Sequence, residues 1–108
     1  MNYNVKYIPK FAKELKKLAK KYPSLKVEFS QLVDSLKTKP QQGTPLGKDC
    51  YKIRLAIASK GKGKSDGARL ITNFIITHDT VYLLTIYDKS DKDSLTDKEL
   101  KELLNELL

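Results

Sequence analysis

The chain has 108 residues, a length that fits one domain spanning 1–108, and its 40% hydrophobic and 31% charged residues are those of an ordinary globular protein. Cys50 is alone and His78 is the only histidine, which excludes an internal disulfide, a Cys/His zinc site and a paired-histidine ribonuclease. The net charge of +8 is unevenly laid: residues 1–64 carry 16 Lys/Arg against 4 Asp/Glu, and residues 65–108 carry 5 against 9, a balance that suits a polyanionic partner touching part of the surface.

Residues 3–8 alternate and read as a short strand. Pro9 fits the first turn of a helix, with Phe11, Leu15, Leu18 and Tyr22 at helical spacing and Lys13, Lys16, Lys17, Lys20 and Lys21 on the other face. Pro23 ends that helix and Ser24 is placed to cap a second, whose stripe is Leu25, Phe29, Leu32, Val33 and Leu36. The two helices are expected to form a hairpin on one side of a sheet. Residues 37–49 hold two prolines and two glycines and read as a connecting loop.

Strands are expected at about 50–58, 68–77 and 80–88, the last two joined by a tight turn at Thr77-His78-Asp79-Thr80. Thr96 and Glu99 match a capping box, starting a final helix with Leu100, Leu103, Leu104 and Leu107. The expected fold is α+β: an N-terminal strand and a helical hairpin packed on an antiparallel sheet of about four strands, then a C-terminal helix.

Side chains alternate along a strand, so Tyr51, Ile53, Leu55 and Ile57 share one face and Lys52 and Arg54 the other. Arg69 opens the next strand and lies near them if the two strands pair. Three converging cations call for an anion, and arginine's planar fork binds phosphate oxygens in pairs. RNA is the expected ligand. The intervening loop alternates Lys60, Lys62 and Lys64 with glycines, giving reach and close backbone approach; without Gly-x4-Gly-Lys-Ser/Thr spacing it is not a nucleotide P-loop. Asp88, Asp91 and Asp93 alternate with lysines and read as a solvated surface, not as a metal site. Cys50 reads as a small strand residue and His78 as a turn residue. The absence of a long apolar run or signal pattern leads us to expect a cytoplasmic protein without membrane contact.

Residues 46–55, the Gly-Lys-Gly-Lys-Ser-Asp-Gly-Ala-Arg-Leu-Ile stretch at 61–71 and Tyr82 to Lys89, in this element order, resemble toxins of the bacterial RelE/ParE superfamily. The likeness is nearest to the HigB-like branch of the RelE-type mRNA interferases. It implies a toxin of a type II toxin–antitoxin system: a ribosome-dependent, metal-independent endoribonuclease, without cofactor, that inhibits translation and is silenced by a cognate antitoxin. By position, Lys52 and Arg54 match the family's basic pair, Arg69 its phosphate-gripping arginine, and Lys89 its C-terminal basic residue. Lys13, Lys16, Lys17 and Lys20 would contact ribosomal RNA, Lys60, Lys62 and Lys64 the RNA backbone, and Tyr87 a base. Asn73 stands where many relatives have an aromatic residue, and Leu95 near the place of a C-terminal tyrosine. The alternatives are a ParE-type toxin inhibiting DNA gyrase without RNA cleavage, or an inactive family member.

Overall fold

A computed structural model describes residues 2–60, 67–92 and 94–107; Lys62, Lys64 and Asp93 therefore lie outside the described residues. The chain runs β1 (Asn4–Tyr7), α1 (Pro9–Lys21), α2 (Leu25–Thr38), β2 (Thr44–Gly47), β3 (Cys50–Leu55), β4 (Ala68–Ile75), β5 (Thr80–Asp88) and α3 (Asp97–Asn105). Pro9 occupies the first turn of α1, and Thr96 and Glu99 form the capping box of α3, each side chain accepting from the other residue's backbone N–H.

The α+β architecture matches the sequence reading, with two refinements. The sheet has five strands in the order β1-β5-β4-β3-β2, because part of the 37–49 segment forms β2. Pro45 is tolerated there because β2 is an edge strand, where a missing N–H breaks no ladder. Lys48 and Asp49, both with positive φ, make the two-residue turn into β3. The second refinement is that β1 pairs with β5 in parallel, with Asn4 opposite Thr80 and Tyr7 opposite Leu83. Alternation identifies a strand without fixing its partner's direction, and the long connection between these two permits either.

Ser24 occupies the N-cap position of α2, but its hydroxyl makes no cap bond. It accepts from Ser59 N–H (2.9 Å) and reaches Glu28 Oε1 (3.1 Å), while Glu28 Oε2 accepts from Ala58 N–H (2.6 Å). The start of α2 thus clamps the turn Ala58–Lys60 that leads into the Lys/Gly segment.

Leu25, Leu36 and Phe11 from the hairpin are buried in one core with Leu70, Leu84 and Ile86 of the sheet. On the opposite side α3 lies across β5, and Leu103 and Glu102 share a cavity of about 220 Å³ with Thr85 and Tyr87. No described helix is long and apolar enough to cross a membrane.

Gly43 brings the chain onto the edge of β3. Its φ is +97°, and a Cβ there would stand 2.3 Å from the carbonyl oxygen of Lys52. Backbone cannot yield as a side-chain tip can, so Gly43→Ala is expected to cost at least about 2 kcal/mol, combining positive-φ strain with a forced shift. Urea unfolding checks this, and an unchanged midpoint would contradict it.

Candidate functional site

The register of β3, β4 and β5 builds the site. Arg54 pairs with Arg69 and Arg69 with Tyr87, so two arginines and a tyrosine form one cross-strand row. The neighbouring same-face row is Lys52, Ile71 and Thr85; between them, on the reverse face, Ile53, Leu70 and Ile86 are all buried. The alternation of Lys52 and Arg54 against Ile53 is therefore realised.

Tyr87 reaches this row through a β-bulge. Ile71 pairs with Thr85 but Thr72 pairs with Leu83, leaving Leu84 as an extra residue. Val81, Leu83, Leu84 and Ile86 are all buried, so the bulge changes the phase of β5. Leu84, Ile86 and Asp88 then turn toward the helical hairpin, and Thr85 and Tyr87 turn toward the cations. A strictly alternating β5 would set Tyr87 on the same face as Val81.

Exposure divides the cluster. Arg54 is exposed and Lys52 half-buried, whereas Arg69 is only 2% exposed, with one guanidinium nitrogen donating to the carbonyl of Ala68 (3.2 Å). The expectation of three surface cations is corrected for Arg69: it sits on an inner strand between β3 and β5, and its guanidinium lies within the fold. Lys89 is half-buried, and its backbone N–H donates to Gly67 O (3.0 Å), closing the end of the β4–β5 pair.

A comparison with protein-family models gives no match. Comparison with solved structures does. A mutant of the E. coli toxin RelE in the free state superposes with a TM-score of 0.65 at 18% identity, over 100% of both chains. The isolated E. coli RelE toxin gives 0.55 at 23% identity, over 98% of this chain and 99% of that one. The toxin–antitoxin complex RelBE2 from Mycobacterium tuberculosis gives 0.57 at 20% identity, over 84% of this chain and 95% of that one. The fold is RelE-like.

On this RelE-like frame the other expected residues fall in three places. Lys13, Lys16, Lys17 and Lys20 are exposed at i, i+3, i+4 and i+7 spacing, a continuous basic stripe along α1. Lys60 departs from the reading of a free loop cation. Its side chain is 13% exposed and its ammonium donates to Asp88 Oδ1 (2.6 Å). Asp88 itself corrects the reading of a solvated acidic run: it is 1% exposed and also accepts from Tyr22 Oη (2.6 Å) and Ser90 N–H (3.0 Å). Burial alone would push this carboxyl up, but the bonds from Lys60, Tyr22 and Ser90 outweigh it and hold it well below the usual carboxylate range.

Glu14, which a Lys-rich helix face hides, is a second residue that sequence reasoning missed. Its carboxylate accepts from Lys10 Nζ (2.6 Å), Thr85 Oγ1 (2.7 Å) and Ile86 N–H (3.4 Å). It thereby closes the edge of β5 that β1 leaves open after Leu83. Cys50 is buried and His78 exposed beside its turn, as expected; burial raises the Cys50 thiol pKa, away from a reactive thiolate. Asn73 donates to the carbonyls of Lys48 and Asp49 (3.3 Å each), fixing the β2–β3 turn.

Beside the row, Lys92 hydrogen-bonds Glu99 and stands 6.0 Å from the Tyr87 ring centre. Lys92, helped by the Thr96 N–H, lowers the Glu99 carboxyl from 4.5 to about 2. A lowered folded-state pKa contributes stability above the ordinary value that is lost as pH falls through the folded one. The protection of the α3 amides, the intrinsic exchange rate at each pH divided by the observed one, is therefore expected to fall as pH drops from about 4.5 to about 2, checked by ¹⁵N NMR; protection that stays constant over that window would contradict it.

Proposed function

We propose that this protein is the toxin of a type II toxin–antitoxin pair, a RelE/HigB-like endoribonuclease that cleaves mRNA on the ribosome. The supporting observation is the Arg54–Arg69–Tyr87 row with Lys52 beside it, on the sheet of a RelE-like fold. In this reading the ribose 2′-oxygen attacks the adjacent phosphorus, a proton leaves the hydroxyl, and the bond to the 5′-oxygen breaks. The products are a 2′,3′-cyclic phosphate and a 5′-hydroxyl.

Arg54 offers paired donors to the phosphate oxygens, whose charge grows as the attacking oxygen bonds to phosphorus. Buried Arg69 gives a fixed charge in low dielectric, and exposed Arg54 closes on the phosphate from solvent. Lys52 and Lys89 are the groups assigned to proton movement, and Tyr87 offers a ring for a neighbouring base. The α1 stripe of Lys13, Lys16, Lys17 and Lys20 fits ribosomal RNA, with affinity falling steeply as salt rises. Lys60 serves this surface indirectly, by anchoring the start of the Lys62/Lys64 segment to Asp88. The partner is a cognate antitoxin, as in the RelBE2 complex, and the site of action is the cytoplasm.

Induced expression in a bacterial host tests the proposal. Growth, translation, mRNA 5′ ends and a DNA-damage reporter are followed together. Rapid translational arrest with new cuts inside translated codons is the expected result. Arrest with intact mRNA and a DNA-damage response would replace it with gyrase-type inhibition.

A further inference from the structure

Where β2 stops, the edge of β3 opens into a cleft of about 560 Å³ between that strand and α2. Its floor is apolar, made by Leu32 of α2 and by Ile53 and Leu55 of β3. The pairing of β2 ends at Thr44, opposite Lys52, whose carbonyl faces Gly43 across this edge. Backbone groups two residues apart on a strand point the same way, so the N–H and C=O of Arg54 face the cleft. No β2 residue pairs with Arg54. This one residue contributes to both places: its guanidinium to the cation row and its peptide groups to the cleft.

The order of groups along the edge has a direction. A strand residue carries its N–H toward the residue before it and its C=O toward the residue after it, so the Arg54 C=O lies toward Ala56. Glu28 lines the cleft at that end. Its carboxylate is fixed there by Ser24 Oγ (3.1 Å) and Ala58 N–H (2.6 Å), with lone pairs to spare. The cleft thus offers a donor, an acceptor and a carboxylate in sequence above an apolar floor. Phosphate is held off by Glu28 and drawn to Lys52 and Arg54. The open edge is also closed at both ends, by Thr44 and by the clamped turn Ala58–Lys60. Residues 53–56 between them span about 13 Å, short of the roughly 17–20 Å of a usual strand.

We propose that this cleft is a nucleobase subsite, selective for a base with an exocyclic amino group whose own phosphate lies on Lys52 and Arg54. The inference rests on the RNA-cleaving reading and names the part of that site which reads the base. The ring would lie against Leu32 and Ile53. The N–H of Arg54 donates to a ring nitrogen and its C=O accepts from the neighbouring amino group, the pair that adenine and cytosine present on one edge. The second amino proton then points to the Glu28 carboxylate. Uracil and hypoxanthine carry a carbonyl oxygen in place of that amino group and would set oxygen against oxygen. A peptide strand could use the same backbone pair, but the closed ends leave it no passage and the neighbouring cations no role.

The test titrates the full chain, ¹⁵N-labelled, with AMP, IMP and inorganic phosphate; IMP has a carbonyl where AMP has the amino group. AMP is expected to shift the amides of residues 42–44 and 53–56 and to bind at least about fivefold more tightly than IMP. Glu28→Gln keeps an acceptor for Ala58 N–H but adds a donor, so it should erase or reverse that preference. Ala56→Leu, which fills the cleft and changes neither the cations nor Glu28, should cut AMP binding to the level of inorganic phosphate. Equal binding of AMP and IMP, an unchanged preference in Glu28→Gln, or phosphate reproducing every AMP shift would overturn the proposal. A blocked pentapeptide of Val and Thr that moves residues 53–56 more than AMP does would assign the edge to strand pairing and also overturn it. Binding is read without cleavage, so intact selection of AMP with no RNA cutting would sink the endoribonuclease reading alone.

Discussion

Arg54→Ala is expected to lower the rate of mRNA cleavage by about 10²–10³ while leaving the unfolding midpoint in urea unchanged. Arg54 is exposed on β3, so its removal neither opens a cavity nor strands a partner. What it removes, on the proposed mechanism, is the exposed arginine that grips the phosphate. Arg69→Ala should lose as much activity, but with a different signature. That side chain is 2% exposed and bonded to a backbone carbonyl, so truncation also destabilises the domain. Because the two arginines act on one charge, the double variant should be little slower than either single one. Equal cleavage by wild type and Arg54→Ala would remove the row from the mechanism.

The largest stability effect is expected at Asp88. Asp88→Asn leaves Lys60, 13% exposed, without its anion and weakens the bonds to Tyr22 and Ser90. Breaking a buried pair from one side costs about 3 kcal/mol, which in a domain of this size lowers the melting temperature by at least about 10 °C. The pH dependence follows from the same contacts. Asp88 is held below its ordinary 3.8, so its contribution is present above that pH and lost as pH falls further. Wild type should therefore lose stability below about pH 4 more steeply than Asp88→Asn. Calorimetry across pH 2–7 checks both, and parallel curves would contradict the account. Activity should fall too, since Asp88 joins the end of β5 to the turn that launches the Lys62/Lys64 segment.

Much of this was legible from local chemistry. Pro9, the Thr96/Glu99 box and the alternation of Lys52, Ile53 and Arg54 each state their conformation within a few residues, and the structure follows them. What was not legible depends on non-local pairing. The strand Thr44–Gly47 contains a proline and a glycine and reads as a loop until an edge is available for it. The phase of β5 turns on Leu84, and no property of the string Tyr82-Leu83-Leu84-Thr85 marks a bulge there. Asp88 resembles Asp91 and Asp93 in sequence, and only the arrival of Tyr22 and Lys60 from distant segments makes it a buried anchor. The cation site was half visible for the same reason: Lys52 and Arg54 declare a shared face, but Arg69's burial and Tyr87's place in the row are set by two registers and a bulge.

The central claim is that the Arg54–Arg69 row cuts RNA. The most direct measurement incubates purified protein with mRNA-programmed ribosomes in excess chelator and identifies the chemistry of the new RNA ends. Fragments ending in 2′,3′-cyclic phosphate, paired with 5′-hydroxyl ends and lost with Arg54→Ala, are the predicted result. Intact mRNA with the wild-type protein, or cuts that persist undiminished in both Arg54→Ala and Arg69→Ala, would contradict it.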